Sequence, residues 1–117
     1  MNILYVEDNA MLRATIADYL DELGHEAVAV ASAEEALGEL QHGRFDVLFT
    51  DVSLPGRSGI ELAREAVVLQ PEMALVLASG HDLAQERDRL GVCATLLPKP
   101  FDLDQLEQVL GDLAVGG

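Results

Sequence analysis

The chain has 117 residues, half of them hydrophobic, with 21 acidic against 7 basic side chains and a formal charge of −14. That is the size and composition of a single folded domain with a sizeable core, which excludes a disordered chain. The charge argues against direct binding of nucleic acid or an anionic membrane through this domain.

The elements follow one another in strict alternation. Ile3 to Val6 is an apolar run of the kind buried on both faces of a sheet, and it ends in Glu7-Asp8. No signal peptide is expected ahead of it, and the run is far too short to span a bilayer. Leu12, Ile16, Tyr19, Leu20 and Leu23 then fall at helical spacing, with Gly24 as the closing residue. Ala27 to Val30 predicts a second strand, and Ser32 with Glu35 forms a capping-box pattern for a helix that buries Ala36, Leu37 and Leu40 and ends at Gly43. Phe45 to Thr50 predicts the third strand. It runs into Asp51 and then into Leu54-Pro55-Gly56, a turn set by proline and glycine. Ser58 caps a third helix that buries Leu62, Ala63, Ala66, Val67 and Leu69 and must stop before Pro71. Ala74 to Ala78 is the fourth strand, ending in Ser79-Gly80. A weak, polar helix is predicted over Asp82 to Leu90, and Cys93 to Leu97 is the fifth strand, ending in Pro98-Lys99-Pro100. Asp102 caps a last helix carrying Leu103, Leu106, Val109, Leu110 and Leu113. Cys93, the single cysteine, fits a reducing cytoplasm and reads as a packed core thiol.

Five strand–helix units imply an α/β fold, a doubly wound, five-stranded parallel sheet with helices on both faces and strand order 2-1-3-4-5. In that order the first and third strands are neighbours at the switch point, where open sheets of this kind bind their ligands. Glu7, Asp8 and Asp51 then share one cleft, approached by Ser79 from the fourth strand and Lys99 from the fifth. Three carboxylates so close repel unless a cation intervenes, and Mg²⁺ suits hard oxygen donors and retained waters. A carboxylate nucleophile with a cation, a lysine and a hydroxyl is a site for phosphoryl transfer. Lys99 is the only lysine, the other six basic residues being arginine. The bland alternatives are that Asp51 merely ends a strand, that Glu7-Asp8 is a solvated helix start, and that Lys99 is an idle surface charge.

With the acidic pair Glu7-Asp8, the D-x-x-x-P-x-x-x-G run from Asp51 to Gly59, Ser79 and Lys99-Pro100 in place, the chain resembles the receiver domain of two-component response regulators over essentially its whole length. The resemblance implies a flavodoxin-like (βα)5 fold spanning 1–117 as one receiver domain with no output domain. It makes Asp51 the phosphoacceptor, supplied by a histidine kinase or a histidine phosphotransfer protein. It makes Glu7, Asp8, Asp51 and the Ser53 backbone carbonyl the Mg²⁺ site, Glu7 acting through water. By the same resemblance Lys99 pairs with the acyl phosphate, Ser79 swings toward a phosphoryl oxygen, Ser53 and His81 tune the phosphate's lifetime, and the Lys99-Pro100 bond is cis. The switching surface is that of the fourth and fifth strand–helix units, and the downstream protein target is unknown. A cytoplasmic phosphoprotein is implied, catalysing only its own phosphorylation and dephosphorylation.

The chain departs from the family's pattern at three places. Glu7 stands where many relatives have aspartate, and Ser79 where threonine is commoner. Leu96 occupies a position where much of the family has an aromatic that rotates on activation, so Leu96 either repacks or output runs through another surface. Three alternatives stand beside this one. A small phosphohydrolase using Asp51 would need a second aspartate where Ser53 stands, and a receiver-like interaction domain blind to phosphate would be expected to have lost Asp8, Asp51 or Lys99. A nucleotide-binding flavodoxin relative lacks its glycine-rich loop here. Whether the chain stands alone or is the receiver of a hybrid histidine kinase or a longer regulator is left open.

Overall fold

Ile3-Leu4-Tyr5-Val6 is apolar at every position because both of its faces are covered, and all four residues are buried. In the computed structural model, which describes residues 1–52, 54, 58–79, 94–98 and 101–116, this run lies in β1 (Asn2–Val6). Its neighbours are β2 (Glu26–Val30) and β3 (Val47–Asp51), both parallel to it. β4 (Ala74–Ser79) pairs with β3, and β5 (Thr95–Pro98) pairs with β4. The sheet order is therefore β2-β1-β3-β4-β5, as the alternation predicts. Four helices are described: α1 (Ala10–Glu22), α2 (Ala33–His42), α3 (Gly59–Leu69) and α4 (Leu103–Gly116). None of them is long and apolar enough to cross a membrane.

Strand alternation divides the apolar residues between two cores. Leu4, Val6, Leu48, Leu75 and Leu77 meet Ala36 and Leu40 of α2 and Leu62, Ala63 and Ala66 of α3 on one face. Ile3, Tyr5, Val47, Phe49, Val76 and Ala78 meet Ile16 and Leu20 of α1 and Leu106 and Leu110 of α4 on the other. Each fully buried leucine in these layers contributes about 1.5–3 kcal/mol relative to exposure.

The helix starts follow the capping chemistry of the sequence. Ser32 and Ser58 accept from the amides of Glu35 and Glu61, at 3.2 and 3.1 Å. Glu35 reaches back one residue further than a capping box requires, to the Ala31 amide. Asp102 and Gln105 form a reciprocal pair at the start of α4. Gly24 follows α1 at φ +91°, a conformation that costs glycine nothing.

The start of β3 and the burial of two leucines differ from expectation. β3 begins at Val47, not Phe45, because the Phe45 amide is taken by the Gln70 side chain at 3.0 Å. Leu69, expected inside, is 44% exposed; Gln70, the residue after it, turns to the chain and bonds the Leu40 and Gly43 carbonyls. Leu103 is 38% exposed, while Leu106 and Leu110 carry the inner face of α4. The Pro55-Gly56 turn, the helix expected over 82–90, Cys93, Ser53, His81 and the Lys99-Pro100 bond lie outside the described residues.

Candidate phosphoacceptor site

The site is assembled at the carboxyl ends of β1 and β3. Asp51 closes β3 as its last residue, half-buried, and the strand register sets Val6 beside Thr50. β1 ends at Val6, so Glu7 and Asp8 leave the sheet beside Asp51. Alternation then places Glu7 above Tyr5 and Asp51 above Phe49, on the α1/α4 face of the sheet.

Backbone and side-chain bonds fix the loop between β1 and α1. The Glu7 amide donates to Val30 at 3.0 Å, extending the β1–β2 ladder by one residue. Arg13, one turn inside α1, donates Nη1 to the Glu7 carbonyl at 2.8 Å. The Asn9 amide donates to Glu7 Oε2 at 3.1 Å, while Asn9 Oδ1 caps α1 by accepting from Leu12. Glu7 is only 4% exposed, a placement that a carboxylate tolerates when it is hydrogen-bonded or beside a cation. Asp8 is exposed at the mouth.

On the β3 side, Thr50 is fully buried and its hydroxyl donates to the Asp51 carbonyl at 3.1 Å. The Val52 amide continues the strand by donating to Ala78 at 2.9 Å. The first residue of α3, Gly59, then returns to the strand end, its amide donating to the Val52 carbonyl at 2.7 Å. A Cβ at residue 59 would overlap the Asp51 carbonyl oxygen, which is the physical reason for glycine at the end of the D-x-x-x-P-x-x-x-G run.

The result is a group of three carboxylates, Glu7, Asp8 and Asp51, with one oxygen of each lying within 4.8 Å of the others. Hard oxygen donors at such spacing fit a divalent cation of the Mg²⁺ or Ca²⁺ type, and no histidine or cysteine among the described residues joins them. Beneath the group lies a ladder of rings. Tyr5 packs on Phe49 with centroids 4.9 Å apart, and Phe49 on Phe101 at 5.9 Å. Burial first, then the charges of Glu7 and Asp51, push the Tyr5 phenol well above the ordinary tyrosine range, with Arg13 acting the other way.

Glu7, Asp8 and Asp51 thus meet as the sequence predicts. β4 carries Ser79 as its last residue, one strand away from Asp51. Leu96 is half-buried in β5 and packs on the α2/α3 core. Lys99, Ser53 and His81 fall outside the described residues. The sequence reading passed over Asn9, Arg13 and Thr50. Asparagine just before a helical pattern signals a cap, whereas Arg13, six residues past Glu7, acts on a backbone carbonyl and left no such signal. Thr50 gave no signal apart from being a polar residue in an apolar strand.

A family model described as response regulator receiver domain matches residues 3–111. The chain is 36% identical over 117 residues to the response regulator protein FleR of Pseudomonas aeruginosa. It is 34% identical over 116 residues to the two-component response regulator PhoP of the same organism. Each match covers 97% of this chain, which spans 24% of FleR and 51% of PhoP. The crystal structure of response regulator TrrA from Thermotoga maritima, determined in complex with Mg²⁺–BeF, superposes with a TM-score of 0.86 at 26% identity, covering 96% of this chain and 97% of that one. Sheet order, carboxylate cluster and family match agree, and the chain belongs to the receiver domains of two-component response regulators, the phosphoacceptor domains of that signalling system.

Proposed function

We propose that this domain takes a phosphoryl group onto Asp51 from a histidine kinase or a histidine phosphotransfer protein, in a Mg²⁺-dependent reaction. The observation that carries this reading is the meeting of Glu7, Asp8 and Asp51 oxygens within 4.8 Å at the strand ends. TrrA, with its Mg²⁺–BeF, supports the choice of cation.

In the transfer, an Asp51 carboxylate oxygen attacks phosphorus as the bond from phosphorus to the donor nitrogen breaks, and the donor imidazole leaves with the electron pair. A Mg²⁺ bound there would supply positive charge to neutralise the transferring group. Glu7, Asp8, Asp51 and the Ser53 carbonyl would hold it, Glu7 through water. Asn9 and Arg13 keep the Glu7 loop in place, so the carboxylates need little reordering when the cation binds. Lys99 pairs with the acyl phosphate, and Ser53 and His81 set how long it survives. Ser79 turns toward a phosphoryl oxygen, and the β4 and β5 units carry the change to a protein target. Leu96 has no ring to rotate, so it takes part by repacking against the α2/α3 core. The domain turns over no separate substrate and acts as a switch.

The test is intact mass after incubation with acetyl phosphate and Mg²⁺. The wild type gains one phosphoryl group, while Asp51→Asn and the chelator-treated wild type gain none. No adduct on the wild type, even with a fast quench, would identify a receiver-like interaction domain instead.

A further inference from the structure

Tyr5 belongs to no part of the mechanism above, yet it lies directly below the carboxylates. It is 2% exposed, in the centre of β1, and its ring is fixed against Phe49. Among the described residues its hydroxyl has no hydrogen-bond partner, and the charges it feels are Glu7, Asp51 and Arg13. A buried hydroxyl without a partner costs free energy, and a native structure that retains one calls for an explanation. Ordinary core packing would be served as well by phenylalanine, which keeps the stack on Phe49 and carries no such cost.

Pleat geometry supplies the explanation. Tyr5 and Glu7 stand on the same face of one strand, and the Tyr5 partner across the ladder is Phe49, which shares its face with Asp51. A phenol is a single donor directed by a rigid ring. Mg²⁺ keeps several of its waters when protein carboxylates bind it, and those waters need acceptors and donors around them. We propose that Tyr5 is a positioning residue of the cation site, its hydroxyl bonding the hydration shell of the ion held by Glu7, Asp8 and Asp51. The proposal rests on the receiver reading and deepens it: the floor of the site is polar at one point, and that point serves the hydrated cation.

The experiment compares wild type, Tyr5→Phe and Tyr19→Phe by Mg²⁺ titration calorimetry and by thermal melting in chelator. The Tyr19 hydroxyl bonds Glu107 and the Leu103 carbonyl on the flank of the domain, so its loss controls for removal of any tyrosine hydroxyl. Tyr5→Phe is expected to melt at or above the wild-type temperature without Mg²⁺, because the hydroxyl has no hydrogen-bond partner among the described residues. It is also expected to bind Mg²⁺ about threefold to tenfold more weakly, the loss of one hydrogen bond to a charged assembly. Tyr19→Phe keeps wild-type Mg²⁺ affinity. Equal affinity of Tyr5→Phe and wild type, or a lower melting point in chelator with the Mg²⁺ response intact, would overturn the proposal while leaving the receiver reading standing. A wild type that binds no Mg²⁺ would overturn both.

Discussion

Gly59→Ala is the substitution whose effect the geometry fixes most tightly. An alanine Cβ there would overlap the Asp51 carbonyl oxygen and lie 2.9 Å from both the Asp51 carbonyl carbon and the Val52 Cα. These are backbone atoms at the end of β3, and no side-chain rotation relieves the contact; α3 must move off the strand. Overpacking of a core costs about 1–3 kcal/mol, and a contact with backbone on both sides belongs at the upper end. Against it stands up to about 1 kcal/mol gained when alanine replaces glycine in a helix. The net expectation is a loss of about 2 kcal/mol, or a melting point lower by about 8 °C for a domain of this size. Gly38 in α2 and Gly111 in α4 supply the opposite case, since an added Cβ at either meets nothing within 4 Å. Gly38→Ala and Gly111→Ala should each gain about 0.5–1 kcal/mol. Calorimetric melts of the three variants decide the matter. A Gly59→Ala protein melting at or above wild type would refute the steric argument, and a loss at Gly38 or Gly111 would refute the propensity argument.

Gln70→Ala removes three bonds at once, to the Leu40 and Gly43 carbonyls and from the Phe45 amide, at 3.0, 2.7 and 3.0 Å. Partial access of water limits the loss to about 2 kcal/mol, read as a lower urea midpoint at unchanged slope; an unchanged midpoint would show that Gln70 is dispensable. His25 gives a pH dependence. Its Nδ1 lies 3.1 Å from the amino-terminal nitrogen of Met1, and burial first, then that positive charge, lower its pKa. The unfolded chain therefore binds more protons just below the ordinary histidine value, so stability is full above pH about 6.5 and declines as pH falls below it. His25→Gln should show a shallower decline in melting temperature between pH 7.5 and 5.5, and an identical slope would dismiss the pair.

The sheet order was legible because five apolar runs alternate with five helical patterns, and only a few topologies accept that pattern. Ser32, Ser58 and Asp102 announced their caps because a short polar side chain before an apolar periodicity has one common use. The start of β3 was not legible. Phe45 is as apolar as the strand it precedes, and what removes it from the ladder is a bond from Gln70, 25 residues away. The same distant amide explains why Leu69 faces outward. In the site, Glu7, Asp8 and Asp51 could be joined from topology alone, because strand ends of known order are neighbours wherever the strands start. Arg13 and Thr50 could not, since each acts on a backbone carbonyl, and a sequence does not show which carbonyls lack a partner.

The same carbonyl bonds bear on why a cation belongs in the site. Two full charges at about 5 Å repel by about 3 kcal/mol at an effective dielectric near 20, before solvent screening reduces it. Glu7, at 4% exposure, is the carboxylate least able to use that screening. Arg13 is close enough to answer it, but donates to the backbone of Glu7, which orients the loop. A phosphoryl group on Asp51 would add roughly 1.5 to 2 further negative charges at the same point. With 21 acidic and 7 basic residues, the net charge of the chain adds to that repulsion and does not offset it. Compensation therefore has to be local and has to arrive with the phosphate or before it, which is what a divalent ion and Lys99 provide in the proposed function. In the proposed function, the repulsion among the three carboxylates would be relieved where the cation binds.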